Sequence, residues 1–220
     1  MTSVEGEHRL RLPPGQVITA KWPVLTYGAT PRPDMSKWTF RCRGLVENEI
    51  AWSWEEFLRL PRVEVVSDIH CVTRWSRFDN RWEGVAVREV LARARVLPAA
   101  VAVLVRTEEG YTTNLALEDI SAENALLAIK HDGKDLEPDH GGPCRLVVPN
   151  LYFWKSAKWV REFEILDVNP PGFWEVNGYH MRADPWREER FSADETDAMQ
   201  RLRSEAAREL RARRDREKGS

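Results

Sequence analysis

Residues 136–145 read Leu136-Glu-Pro-Asp-His-Gly-Gly-Pro-Cys-Arg145, and the segment Lys155-Ser-Ala-Lys158 follows ten residues later. Two consecutive glycines allow the backbone to approach a ligand closely, and Pro143 stiffens the entry to the strand that we expect next. Arg145, Ser156 and Lys158 would supply a planar fork, a hydroxyl and a point charge to one phosphate. The two segments therefore favour a phosphate-binding loop. The alternative is a hairpin loop that carries ordinary surface cations.

Cys71 is the second candidate for chemistry. It follows His70 at the end of a largely apolar, β-branched segment that predicts a buried strand over Val63–Val72. Arg74 and Arg77 come soon after it, and nearby arginines stabilise a thiolate, the form of cysteine that attacks electrophiles or binds metal. The alternative is a small buried hydrophobe, which is the role we assign to Cys42 and Cys144.

The spacing of the histidines and cysteines does not favour zinc. His70 and Cys71 are neighbours on a predicted strand and would point to opposite faces, whereas structural zinc ligands come in pairs two to four residues apart. A cysteine–histidine hydrolase remains possible from composition alone. No nucleophile elbow or oxyanion loop supports it.

Composition limits the class of protein. The chain has 220 residues, with 33 basic and 35 acidic side chains and a net charge of -2. Nucleic-acid binders usually carry a large basic excess, so we expect no nucleic-acid partner. No apolar run approaches the length of a membrane span, residues 1–11 show no secretory signal, and three unpaired cysteines fit a reducing compartment, so we expect a cytoplasmic protein. Ten tryptophans exceed what packing needs, which predicts that some line a cleft.

Short strands and scattered helices predict an α+β fold with mixed sheets and few helices. A Ser53–Glu56 capping box should open a short helix, Val87–Ala94 should form a longer one, and Asp132-Gly133 should make a hairpin turn. The predicted strands are Trp38–Val46, Val63–Val72, Val101–Arg106, Ala125–His131, Cys144–Val148 and Trp159–Val168. We predict one domain over residues 1–190, with an irregular lead-in, and a charged helix over residues 191–220 with Leu202, Ala206 and Leu210 on its apolar edge.

The ordered motifs together resemble the molybdopterin-binding domain of the sulfite oxidase family. That family has a single cysteine that ligates molybdenum, an H/N-G-x-P-x-R loop, and an S-x-K segment eleven residues after the loop arginine. Here Cys71 precedes the 136–145 loop, and Ser156 lies eleven residues after Arg145. Trp174-Glu-Val-Asn-Gly-Tyr179 resembles the W-x-x-x-x-Y element, and Pro23-Val-Leu-Thr-Tyr27-Gly28 sits where the family places a loop around the pterin. The resemblance covers roughly residues 20–190.

The resemblance implies a sulfite-oxidase-like fold and a molybdenum–molybdopterin cofactor with one pyranopterin dithiolene. It implies that Cys71 ligates the metal and that Tyr179 lines the substrate pocket. We also expect Arg74 near the substrate oxygen, because it is close to Cys71 in sequence. The residues implied to bind the pterin or its phosphate are Tyr27, Gly28, Thr107, His140, Arg145, Ser156 and Lys158, with Lys155 as a weaker candidate.

The pattern Cys71-Val-Thr-Arg-Trp-Ser76 differs from that of the eukaryotic-type enzymes and is closer to that of the bacterial methionine-sulfoxide reductase catalytic subunit. We therefore expect an oxidoreductase that transfers an oxygen atom to or from a small S-oxide, N-oxide or sulfite-like molecule. Arg74 and Arg77 would keep cationic groups near the metal, which suits an anionic or a strongly polar S–O or N–O substrate. The chain has no haem, flavin or iron–sulfur motif, so it would need a separate electron-transfer partner. The alternative is a non-catalytic, tryptophan-rich binding module that kept the fold without the metal.

Overall fold

The computed structural model describes residues 10–108 and 110–218, and it contains two sheets. The first sheet is built around the longest strand and comprises β1 (Val17–Ile18), β4 (Val63–His70), β5 (Trp75–Ala86), β8 (Leu126–His131), β9 (Lys134–Asp135) and β10 (Arg145–Val147). In it β5 pairs in antiparallel fashion with β4 and β8 and in parallel fashion with β1, while β8 also pairs with β9 and β10.

The second sheet has the strand order β3-β2-β11-β6-β7. Its strands are β2 (Thr39–Gly44), β3 (Ile50–Ser53), β6 (Ala102–Thr107), β7 (Thr112–Ala116) and β11 (Val160–Leu166). The pair β2–β11 is parallel, and the other pairs are antiparallel.

The helices are short except for the last one. They are α1 (Trp54–Leu58), α2 (Val87–Ala94), α3 (Leu117–Ile120), α4 (Phe173–Val176) and α5 (Asp197–Lys218). Single 3₁₀ turns occupy Met35–Lys37, Pro138–His140, Phe153–Lys155, Pro185–Arg187 and Ser192–Asp194. The predicted α+β architecture of mixed sheets with few helices is confirmed. No helix in the described ranges is long and apolar enough to cross a membrane.

The main core joins the inner faces of both sheets to α2. Phe40 and Phe163 of the second sheet belong to the same buried cluster as Val85 and Leu127 of the first sheet. Helix α2 contributes Val90 to the cluster, together with the rest of the apolar face predicted from its spacing. Packing both sheets against one core fixes the loops at their ends, and those loops carry the residues that the sequence singled out.

Several local predictions are confirmed. Helix α2 has the predicted bounds, and Ser53 and Glu56 form the reciprocal capping box that opens α1. Asp132 and Gly133 both have positive φ angles, and His131 pairs with Lys134 across this turn. The turn has the conformation expected of a two-residue hairpin.

Two local predictions were wrong. Strand β4 ends at His70, close to the predicted end, but only Ile69 and His70 are buried; the residues before them are half-exposed or exposed, with Val66 55% exposed, because β4 lies at the sheet edge against β5. In α5 Ala206 and Leu210 are buried, and Leu210 packs against Leu104 and Leu166, but Leu202 is 65% exposed. The apolar edge of this helix therefore begins one turn later than predicted.

Candidate active site

A cavity of about 560 Å³ opens where the loops at the ends of the two sheets meet. Its walls are mainly aromatic, and five of the ten tryptophans line it, which confirms the expectation of a tryptophan-rich cleft. These are Trp22, Trp75, Trp154, Trp159 and Trp174. The structure brings seven of the residues proposed from the sequence to this cavity: Tyr27, Cys71, His140, Arg145, Ser156, Lys158 and Tyr179.

Cys71 occupies the tight connection between β4 and β5. Its N–H donates to Trp75 O at 2.9 Å, and its carbonyl accepts from Arg74 N–H at 3.0 Å, so the turn fixes the position of its side chain. The side chain is 7% exposed and lines the cavity, with Sγ 3.1 Å from Thr73 Oγ1. Burial raises the pKa of the Cys71 thiol, and the Thr73 hydroxyl lowers it in part.

His70 does not join Cys71 in the cavity. Its Nδ1 lies 2.9 Å from Ser76 Oγ, and its ring lines a separate polar depression. In the described ranges, no group of three or more histidine, cysteine or acidic side chains is arranged to hold a metal ion.

Arg190 and Gln16 hold the Cys71 turn from behind. The Arg190 side chain is 4% exposed, and its Nη1 donates to Val72 O at 2.8 Å while Nη2 donates to Pro14 O at 3.3 Å. Gln16 Nε2 donates to Cys71 O at 3.0 Å. The positive charge of Arg190 offsets part of the rise that burial causes in the pKa of the Cys71 thiol. Sequence reasoning missed both residues because they lie far along the chain from the cysteine.

The arginines chosen from the sequence lie elsewhere. Arg74 has a left-handed backbone conformation and an exposed side chain, and its guanidinium lies against Gly15 and not among the residues that line the cavity. Arg77 binds Asp132 Oδ2 at 2.9 Å and also donates to Asn80. The structure therefore does not bring Arg74 to the site.

Arg145 lies at the other end of the cavity and is 1% exposed. Its Nη1 donates to His140 O at 2.7 Å and its Nη2 to Ser156 O at 2.8 Å, while the guanidinium lies over the Phe153 ring. No carboxylate of the described residues forms an ion pair with it. Burial alone lowers its pKa to about 9. A buried cation without a counterion is costly, so this position calls for an anionic ligand.

Lys158, His140 and Ser156 surround Arg145. Lys158 Nζ donates to Thr26 Oγ1 at 2.7 Å and to Asp139 O at 2.6 Å, and burial together with the Arg145 charge lowers its pKa to about 8. The His140 ring stacks on Trp22 with centroids 3.8 Å apart. Ser156 Oγ accepts from Val148 N–H at 3.0 Å, which leaves its own hydrogen free to donate.

Close packing around this loop leaves no room for a side chain at Gly141 or Gly142. Gly142 packs so closely that a Cβ would lie 2.1 Å from Leu136 O, and Gly141 has φ +105° with Lys158 and Arg145 against it. The loop backbone is thus compressed between β9 and the segment that carries Lys158. This close approach is what the Gly-Gly sequence predicted, and it turns the Arg145 and Lys158 side chains toward one region.

Tyr179 lines the Cys71 end of the cavity. Its ring stacks on Trp174 with centroids 5.0 Å apart and an interplanar angle of 17°. Burial, and the negative charge that Cys71 would carry, raise the pKa of Tyr179, so its phenol remains a hydrogen-bond donor at neutral pH. Tyr27 is 70% exposed at the mouth, where its ring lies 4.7 Å from that of Phe173.

Three other residues proposed from the sequence do not line the cavity. Gly28 lies just beyond the lining segment 22–27, and Thr107 Oγ1 donates to Tyr111 O at 3.2 Å. Lys155 is fully buried behind the wall, where its Nζ lies 2.7 Å from Glu175 Oε1. Glu175 also accepts from the indole N–H of Trp154, a residue of the cavity wall. Lys155 is therefore part of the support of the wall and not of the anion site.

The sequence profile of the family described as "Oxidoreductase molybdopterin binding domain" matches residues 27–174, which is more than half of the chain. The chain belongs to this family. The resemblance found in the motifs is thereby confirmed, and the protein is an oxidoreductase of the sulfite-oxidase-like, molybdopterin-binding group.

Known proteins are similar in sequence to this chain over much of its length. The uncharacterized oxidoreductase YuiH of Bacillus subtilis is 50% identical over 84% of this chain and 93% of its own length. The methionine-sulfoxide reductase catalytic subunit MsrP of Gluconobacter oxydans is 30% identical over 67% of this chain, which spans only 54% of that relative. A nitrate reductase of Hordeum vulgare is 27% identical, and this chain spans 19% of its length.

The fold is also found among solved structures. The sulfane dehydrogenase SoxCD of Paracoccus pantotrophus superposes with a TM-score of 0.58 at 23% identity, over 64% of this chain and 41% of that chain. At this identity the likeness shows the fold alone, and it confirms the predicted sulfite-oxidase-like fold.

The family implies a molybdopterin, and the residues that face the cavity fit such a group. One end offers the unneutralised Arg145 cation beside Lys158 and the free donor of Ser156, which suits a phosphate. The other end offers the Cys71 thiol, a soft donor suited to a metal that also binds dithiolene sulfur. Aromatic walls between the two ends suit a flat heterocycle.

Proposed function

We propose that the protein carries one molybdenum–molybdopterin, with a single pyranopterin dithiolene, and that the Cys71 sulfur is the protein's ligand to the metal. The observation that carries this proposal is that a cysteine and a buried arginine without a counterion line the same cavity. Cys42 and Cys144 are excluded as ligands because both side chains are fully buried in the core between the sheets.

The phosphate of the cofactor is assigned to Arg145, Ser156 and Lys158, with His140 against the pterin. Arg145 can bind an anion through the fork of its guanidinium because only part of its five N–H groups are used by backbone carbonyls. Tyr27 would close the mouth over the pterin. Gly28 and Thr107, which the resemblance also implied as cofactor-binding residues, do not line the cavity.

The cofactor supplies two-electron redox chemistry with an exchangeable oxygen ligand when bound. The chain's own residues then have three tasks. Cys71 fixes the metal end, and the Arg190 and Gln16 hydrogen bonds keep its turn in place. Tyr179 offers a phenol O–H donor to the substrate oxygen. The aromatic walls exclude water from that end and so strengthen each of these interactions.

We propose that the reaction is oxygen-atom transfer with a small S-oxide, N-oxide or sulfite-like substrate. For reduction of an S-oxide, the S–O bond breaks, two electrons and two protons are consumed, and a sulfide and one water are formed. The electrons come from a separate redox partner. The similarity to a methionine-sulfoxide reductase supports an S-oxide, while the alternative of a non-catalytic binding module is not favoured by the oxidoreductase relatives. A cytoplasmic location remains a prediction from the sequence.

The experiment that tests this function compares cysteine variants purified from a host that makes the cofactor. We expect Cys71→Ser to lose both the visible absorption of thiolate bound to metal and the reduction of sulfoxides with a reduced viologen dye. The matched control is Cys144→Ala, whose side chain lies in the core, and we expect it to keep molybdenum and turnover. Full activity of Cys71→Ser would overturn the ligand assignment.

A further inference from the structure

The two ends of the cavity differ in charge. Arg145, Lys158 and His140 lie together at the loop that carries the two glycines, and the charges of Arg145 and Lys158 each lower the pKa of His140. At the Cys71 end, the lining residues are uncharged: Val72, Thr73, Trp75, Tyr111, Phe173, Trp174 and Tyr179. The cationic side chains of the described lining are therefore all at the end assigned to the cofactor phosphate.

From this asymmetry we propose that the substrate is an uncharged organic S-oxide or N-oxide, and that the site discriminates against oxyanions such as sulfite and nitrate. The proposal rests on the proposed function, because it takes Cys71 as the metal end. It narrows the substrate class that the sequence left open, which was an anionic or a strongly polar S–O or N–O molecule, to its uncharged members.

Three arginines lie near Cys71 in sequence or in space, and each has its guanidinium engaged outside the cavity lining. Arg190 donates to Val72 O and Pro14 O and lies 3.6 Å from Glu188, so its charge acts on the Cys71 sulfur from behind the turn while its side chain stays outside the cavity lining. Arg77 is bound by Asp132. Arg74 lies against Gly15 beside the Glu188 carboxylate. None of the three is among the residues that line the cavity.

An oxyanion would lose its hydration at this end without gaining a cationic partner, which is costly in an apolar enclosure. A sulfoxide or amine oxide carries only a polar oxygen, for which one neutral donor is enough. The Tyr179 phenol is such a donor, held in place by stacking on Trp174 and by an edge-on contact with Trp154. The aromatic rings around it provide apolar surface for the organic substituents.

Binding distinguishes the two classes without turnover. The holoenzyme is titrated with dimethyl sulfone and with sulfate, two tetrahedral sulfur oxides of similar size that differ in charge, and tryptophan fluorescence reports on the walls. We expect the sulfone to bind at least about tenfold more tightly than sulfate, and Tyr179→Phe to weaken the binding of the sulfone. Equal or tighter binding of sulfate that Tyr179→Phe weakens would overturn the proposal.

A second experiment introduces the missing charge. Thr73 is exposed at the cavity edge, so Thr73→Lys should fold, and Thr73→Gln is its uncharged match. For the wild type, kcat/KM for nitrate should be at least about a hundredfold lower than kcat/KM for dimethyl sulfoxide. Thr73→Lys should raise the nitrate-to-sulfoxide ratio by about tenfold at low salt, with loss of the gain in high salt, while Thr73→Gln should not.

The outcomes separate this proposal from the proposed function. Nitrate reduced by the wild type as efficiently as sulfoxide overturns the charge argument while leaving the oxygen-transfer function intact. Purified protein without molybdenum and without turnover of any oxide overturns the proposed function. In that case the sulfone and sulfate titrations still decide the charge preference, because their dependence on Tyr179 places the ligand at the uncharged end.

Discussion

The Arg145 guanidinium lies over the ring of Phe153, with its central carbon 4.3 Å from the ring centroid, and forms no ion pair with a carboxylate of the described chain. The edges of the guanidinium are held by His140 O and Ser156 O. An aromatic face and two carbonyls partly compensate a buried positive charge, but they do not neutralise it. The arrangement is therefore prepared for an anion.

Arg145→Ala should give a folded protein with little molybdenum. Removing the cation leaves the phosphate without its bidentate partner, a loss of roughly 2–5 kcal/mol by analogy with truncated charge pairs. Arg145→Lys should retain an intermediate content because it keeps the charge and loses the fork. The control is Arg88→Ala, an exposed arginine paired with Glu123. Metal analysis and circular dichroism measure the result, and unchanged metal content in Arg145→Ala would mean that the phosphate lies elsewhere.

The affinity of the cofactor-free protein for anions should depend on pH through Lys158. Its pKa is lowered to about 8 and that of Arg145 to about 9, so sulfate, whose charge is constant in this range, should bind more weakly as pH rises from 6.5 to 9.5, with Lys158 responsible for the first part of the loss. Lys158→Met should bind sulfate weakly at every pH and show a flatter profile. Isothermal titration at pH 6.5, 8 and 9.5 checks this, and a profile identical in both proteins would remove Lys158 from the anion site.

The lowered pKa of Lys158 weakens anion binding as pH rises, but it should increase the free energy of unfolding over the same pH range. Between about pH 8 and 10.5 the unfolded chain binds the Lys158 proton more fully than the folded chain does. The free energy of unfolding of the cofactor-free protein should therefore gain a contribution from this lysine as pH rises through the window. Urea unfolding of the wild type and of Lys158→Met measures the difference in slope. A steeper gain in Lys158→Met would contradict the assigned shift.

Cys71 should be the reactive cysteine of the cofactor-free protein. It lines the cavity, whereas Cys42 and Cys144 are fully buried in the core and burial raises the pKa of Cys42 to about 12. Iodoacetamide should therefore modify Cys71 alone, faster as pH rises because burial raises the pKa of this thiol as well. Peptide mass spectrometry identifies the site. Modification of Cys42 or Cys144 at a similar rate would mean that the core opens as readily as the cavity.

The buried Lys155–Glu175 pair should stabilise the folded protein, including the cavity wall that Trp154 forms above it. The two side chains are fully buried and 2.7 Å apart, so Lys155→Met leaves an uncompensated carboxylate and should cost about 3–5 kcal/mol. The double variant Lys155→Met/Glu175→Gln should recover much of this loss. Urea unfolding of the single and double variants tests the coupling, and additive effects would show that the pair does not act as a unit.

Local signals in the sequence predicted the fold class and most elements. The spacing in α2, the Ser53 capping box and the Asp132-Gly133 turn depend on interactions within a few residues, and the structure confirms them. The central strand β5 was missed, although Arg77, Asp79, Arg81 and Glu83 alternate with less polar residues as in a half-buried strand. Because the buried positions include the polar residues Ser76 and Asn80, no apolar periodicity marks this strand.

The environment of Cys71 could not be predicted in the same way. Proximity in sequence suggested Arg74, but the tight turn places that residue in a left-handed conformation with its side chain away from the cavity. The arginine that reaches the turn is Arg190, which approaches from a segment more than a hundred residues later. Such a contact depends on the tertiary packing of the 3₁₀ turns after α4, and no local pattern marks it.

The most direct test of the central claim is the molybdenum content of the purified protein and of Cys71→Ser, measured by plasma mass spectrometry after expression in a cofactor-producing host. The wild type should contain about one molybdenum per chain together with the visible absorption that depends on the Cys71 thiolate. Cys71→Ser should lose that absorption. A wild-type protein without molybdenum, or a Cys71→Ser variant with unchanged metal and unchanged absorption, would contradict the account.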